Sequence, residues 1–111
     1  MSVERVEQGS GGVVVVVAGD VDLTLSADLD SAIEWAAAAA PDVIVDLAQA
    51  TLIDSRAIGV LLGWAERLRG RDARLSIVGC KPDVLRLFTT IGLDREFDFY
   101  ETRDDALAKA P

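Results

Sequence analysis

The side chains that could do chemistry here are few, and each suggests a different kind. Asp46 and Asp54 are carboxylates that could act as a general acid and base if the fold brought them together. Cys80 reads as a small buried or half-buried residue at the end of a strand, or alternatively as a redox-sensitive thiol whose thiolate the neighbouring Lys81 would modestly favour. Asp54-Ser55 precedes an apolar, helically spaced segment. Free amides and the positive end of a helix dipole would gather there, a place for a phosphate, a carboxylate or a partner's acidic group. Nothing completes a catalytic set around any of them. The chain has no histidine, which excludes a Ser-His-Asp triad, a Cys-His pair and any His-ligated metal. Its single cysteine excludes an internal disulfide and a Cys-x-x-Cys site, and no glycine-rich phosphate loop is present. An enzyme is not expected, nor a cofactor or a metal.

The elements that must hold these residues are legible in the spacing. Val13–Ala18 is a β-branched run between Gly11-Gly12 and Gly19-Asp20, and reads as a strand buried on both faces. Val3–Gln8 is expected to pair with it as an edge strand across the glycine-rich turn. Ser26 reads as the cap of a helix carrying Leu29, Ile33 and Ala36 or Ala37, closed by Pro41. Asp42–Leu47 is the next strand, followed by a loop. A second helix starts near Asp54 or Ser55 and runs to about Gly70, with Ile58, Leu61, Leu62, Ala65 and Leu68 on its apolar face. Ser55 fits its N-cap, and Asp54 could cap it too or face a partner. Arg67, Arg69 and Arg71 suit the negative end of its dipole.

Ala73–Val78 is a third internal strand, and Pro82 opens a short helix ended by Gly92. Phe97–Tyr100 is a last strand, and Thr102 caps a terminal helix through Leu107. Trp35 and Trp64 lie on different helices and are expected to pack helix against sheet. The alternation predicts one α/β domain over residues 1–111: a mixed, mostly parallel sheet of four to five strands with about four helices. A chain of 111 residues suits one domain and buries about two thirds of its unfolded surface.

Charge narrows the partners. The net charge is −8, and no Lys or Arg occurs from Val6 to Ser55, while acids recur through that half. Such a surface repels nucleic-acid phosphates, so direct DNA or RNA binding is not expected, whereas it could steer a partner with a basic patch. No apolar run approaches a membrane span, and the first residues lack the layout of a signal peptide, so membrane insertion and export are not expected and a cytoplasmic location is.

The window Val43-Ile44-Val45-Asp46-Leu47 through Asp54-Ser55-Arg56-Ala57-Ile58-Gly59-Val60-Leu61-Leu62 resembles the STAS domain of anti-sigma factor antagonists. Gly19-Asp20-Val21-Asp22-Leu23 is similar to that family's Gly-Glu-Leu-Asp signature. Ile77-Val78-Gly79, Pro82-Val84-Leu87-Phe88 and Thr90-Ile91-Gly92-Leu93 resemble its last strand and helix. The resemblance implies a bacterial regulator that docks on an anti-sigma factor, usually a kinase-like protein, and frees a sigma factor for transcription. Asp20, Asp22, Asp54, Ser55, Arg56 and Ile58 are then the candidate partner contacts, with turn chemistry the alternative for Asp20 and Asp22 and a merely exposed position the alternative for Arg56.

In the family the kinase phosphorylates the second hydroxyl residue of an Asp-Ser-Ser/Thr-Gly-Leu-Gly pattern. Here that position is Arg56, with Ala57 in place of glycine. Arginine neither accepts phosphate nor mimics it, so the usual phosphoswitch is expected to be lost or altered, with Ser55 as the nearest remaining hydroxyl. The resemblance admits a second role, an adaptor or scaffold subunit of a lipid-transport ATPase or a stress-sensing complex. Oligomeric state stays open, including a homodimer linked through Cys80.

Overall fold

The run Val13–Val17 is apolar at every position because both faces of its strand are covered. A computed structural model describes residues 2–7, 12–21 and 26–108. Its elements are β1 (Ser2–Glu7), β2 (Gly12–Val21), α1 (Ser26–Ala39), β3 (Asp42–Ile53), α2 (Ser55–Arg69), β4 (Arg74–Val78), α3 (Pro82–Thr90), β5 (Asp98–Tyr100) and α4 (Arg103–Ala108). The sheet runs β1-β2-β3-β4-β5, with β1 antiparallel to β2 and every other pairing parallel.

Each parallel connection leads to the next strand in line, so right-handed crossovers carry α1, α2 and α3 over the same face. That face holds the main core. Val13, Val15 and Val17 of β2 and Val43, Val45 and Leu47 of β3 pack there with Leu29 and Ile33 of α1, Ile58 and Leu61 of α2, and Phe88 of α3. Phe88 meets Phe97 and Phe99 edge to face, each at 5.4 Å between ring centroids. The alternate residues Val14, Val16, Ile44 and Val78 form a smaller cluster on the opposite face, capped by Ala106 of α4.

Two strands are longer than their sequence pattern suggests. β2 continues through Gly19-Asp20 to Val21, and β3 continues past Leu47 to Ile53. These extensions pair with one another, Ala18 with Gln49, Asp20 with Leu52 and Val21 with Ile53, across two irregularities of register. A bulge breaks the two-residue alternation by which a strand is recognised, so Ala48–Ile53 reads as a loop although its backbone is laddered. Gly79 has a positive φ of 68°, and a Cβ there would come within 2.8 Å of the Ala48 Cβ. Glycine is needed where β4 ends beside β3.

The ends of the helices follow local chemistry. Pro82 occupies the first turn of α3, and the Thr102 hydroxyl accepts the Asp105 amide at 3.1 Å to start α4. α2 ends at Gly70, with Arg67 and Arg69 in its last turn.

Candidate functional site

The parallel strands β2 and β3 finish on the same side of the sheet, where α2 begins. In open α/β sheets this carboxyl-end rim is where surface groups from several elements converge. The backbone pairing sets Asp20 opposite Leu52, two positions before Asp54. Asp22 lies outside the described residues.

Asp54 is the N-cap of α2. Its backbone is extended, and its Oδ1 accepts the Ala57 amide at 2.9 Å. Ser55 is therefore not the cap, contrary to its sequence reading. It is the first helical residue and is exposed, as is Arg56 after it. Arg56 is a cation at the positive end of a helix dipole, in a first turn that carries no acid. That placement costs the fold a few tenths of a kcal/mol or more (about 0.3–1). Ile58 does not belong to the surface: its side chain is fully buried in the main core, because helical spacing turns it inward with Leu61. In its place the structure exposes Leu52, 61% accessible at the tip of β3. A single exposed leucine is ordinary on a protein surface, so what makes Leu52 a candidate contact is its place two residues before the cap of α2. Sequence reading missed it, since it lay in what looked like a loop.

The carboxylate pair does not form an acid–base site. Asp46 is only 8% exposed on the α4 face of the sheet. One oxygen accepts the Ala48 amide at 2.9 Å and the other the Arg103 Nε at 2.8 Å. Its work is to tie α4 to the sheet, while Asp54 caps α2.

Nor does Cys80 favour its thiolate. It is half-buried, and desolvation pushes the thiol from 9.0 up to about 11, outweighing any help from Lys81. This counts against the redox reading. Among the described residues no group of His, Cys, Asp and Glu is arranged to hold a metal ion, and no helix is long and apolar enough to cross a membrane.

From Arg56 a cleft of about 540 Å³ runs along α2 against α1, lined by Asp30, Gly59, Gly63, Trp64 and Arg67 among others. Trp64 is buried, and its indole N–H donates to Asp30 Oδ1 at 2.6 Å, joining the two helices. The Arg67 guanidinium lies 4.6 Å from the Trp64 ring centroid. Trp35, expected to pack inward like Trp64, is instead 37% exposed on α1, because at about 100° per residue it is rotated off the inward-facing stripe of Leu29, Ile33 and Ala36.

Comparison with known proteins decides the family. The family model described as "Mlab, STAS domain" matches residues 4–102. The chain belongs to the STAS domain family. Its STAS fold superposes on the crystal structure of an anti-sigma factor antagonist from Mycobacterium paratuberculosis with a TM-score of 0.85 and 31% identity, covering 98% of this chain and 94% of that one. An anti-sigma-B factor antagonist of Listeria monocytogenes is 29% identical over 84% of this chain and 82% of its own length. The anti-sigma factor antagonist SpoIIAA in its unphosphorylated form has the same fold, with a TM-score of 0.82 at 20% identity over 97% of this chain and 95% of that one.

Proposed function

We propose that this STAS domain is an anti-sigma factor antagonist that binds a kinase-like anti-sigma factor in the cytoplasm and so frees a sigma factor. The observation that carries the reading is the exposed start of α2. Ser55 and Arg56 stand free of the core beside Leu52, in a fold shared with proteins named as anti-sigma factor antagonists. Asp54 shapes the corner, and the resemblance to the family's Gly-Glu-Leu-Asp signature is what assigns Asp20 and Asp22 to the same surface. Binding at such a corner needs shape, an apolar anchor and charge, and no catalytic group.

With Arg56 where the family carries its acceptor, release by phosphorylation at that position is closed. The complex is then governed by partner concentration and not by the phosphorylation state of this chain. The test is co-purification with the host's anti-sigma kinase in the presence of ATP. The native chain should bind and stay unphosphorylated, while Arg56→Ser should take up phosphate and lose its partner. Phosphate on Ser55 of the native chain, or no binding to any anti-sigma factor, overturns the reading.

The same replacement also suits a constitutive adaptor, such as a small subunit of a lipid-transport ATPase, because such a role needs no phosphoacceptor at residue 56. Recovery of transporter subunits in place of a sigma regulator would select that role.

A further inference from the structure

The cleft between α1 and α2 is not explained by the internal packing of the domain. Gly59 and Gly63 stand one turn apart in the middle of α2, where glycine lowers helix stability. A Cβ built at either position meets nothing within 4 Å. No contact inside the domain asks for their smallness, and both line the cleft. At its two ends are Arg56 and Arg67, and among the described residues neither is ion-paired. Asp30, the acid of the lining, is engaged by the Trp64 indole. Arg67 is held in place over the Trp64 ring. In a chain of net charge −8, this strip is bracketed by cations and adjoins the positive end of a helix dipole.

We infer that the cleft is a docking groove for an acidic α-helix of a partner protein, with carboxylates meeting Arg56 and Arg67 and its backbone lying close over Gly59 and Gly63. The spacing argues for a polypeptide. Residues 56 and 67 are separated by about 16 Å along the helix axis at 1.5 Å per residue, too far to share one small anion but matched by carboxylates three turns apart on a facing helix. Glycines at this spacing allow helix axes to approach more closely than larger side chains would. The inference rests on the domain being a binding module, and not on which protein it binds.

The test uses no anti-sigma factor, so its failure and that of the proposed function are distinguishable. A display library of helices with randomised outward positions on a fixed helical-hairpin scaffold is selected against the intact chain. The enriched helices should carry Asp or Glu pairs about three turns apart, with small residues between them. Arg56→Glu and Arg67→Glu should each weaken their binding about tenfold or more. Gly59→Gln and Gly63→Gln should do the same by filling the groove, while the melting temperature holds or rises, which separates obstruction from misfolding. The inference is overturned if no helix is enriched, if the enriched helices lack acids, or if their binding survives the glycine substitutions.

Discussion

At the residue scale, Asp54 and Ser55 divide roles that sequence spacing leaves interchangeable. Asp54 accepts the Ala57 amide and Ser55 faces solvent, so substitution should separate them. Asp54→Ala is expected to lower stability by about 1 kcal/mol through loss of the cap, and Ser55→Ala to change it by less than about 0.5 kcal/mol, both read by urea denaturation. Cys80 makes a second case. With the folded thiol raised to about 11 and the unfolded thiol near 9.0, alkylation at neutral pH should run tens to a hundred times slower, as an order of magnitude, in the folded chain than after denaturation. The sign for stability follows from proton binding. Between pH 9 and 11 the unfolded chain has released a proton that the folded chain still holds, so stability falls as pH rises through that window and is unaffected below it. A Cys80→Ser variant should show less of that alkaline loss.

At the scale of elements, α4 and α2 show what holds a short helix and what a longer one can give up. α4 spans only Arg103–Ala108, too short to persist alone. The Arg103 Nε donates to Asp46, and the Arg74 Nη2 donates to the Ala106 carbonyl at 2.9 Å. Arg74 is itself paired with Asp42 at 3.3 Å. Asp46→Asn should cost about 2 kcal/mol, because Arg103 loses a charged acceptor in a half-buried setting. Arg103→Ala should cost a similar amount, and the double variant less than the sum. α2 carries the reverse. Gly59→Ala and Gly63→Ala place a methyl group in open space on the side of α2 turned away from the core, and each should raise stability by about 0.5–1 kcal/mol, seen as a higher melting temperature.

At the scale of the whole molecule, the two faces of the sheet are unequally covered. Three helices bury one face, while Val14, Val16, Ile44 and Val78 on the other rely on α4, with Leu107 and Tyr100 packed against the cluster. Removing residues 102–111 takes away Ala106, Leu107 and the Arg103–Asp46 bridge together. The expected loss is about 3 kcal/mol or more, a fall in melting temperature of roughly 10–20 °C, with new binding of a hydrophobic dye. Charge is uneven along the chain: bases are absent from Val6 to Ser55, and the two arginines that bracket the cleft, Arg56 and Arg67, are the first two bases after that stretch.

The sequence alone was sufficient for the order of elements and for the layered α/β architecture. Periodicity and punctuation are local: five consecutive valines between glycines, a proline opening α3, and a threonine capping α4 each act within a few residues. The strand extensions Gly19–Val21 and Ala48–Ile53 were hidden, because their bulged pairing is a property of two distant segments taken together. The same holds for the site. That Ile58 turns inward while Leu52 turns outward depends on how α2 and β3 lie against their neighbours. Asp46 became a tether only when Arg103, far along the chain, arrived beside it. Residue types fixed which interactions were available; tertiary packing chose among them, because burial and charge pairing depend on neighbours that sequence distance does not reveal.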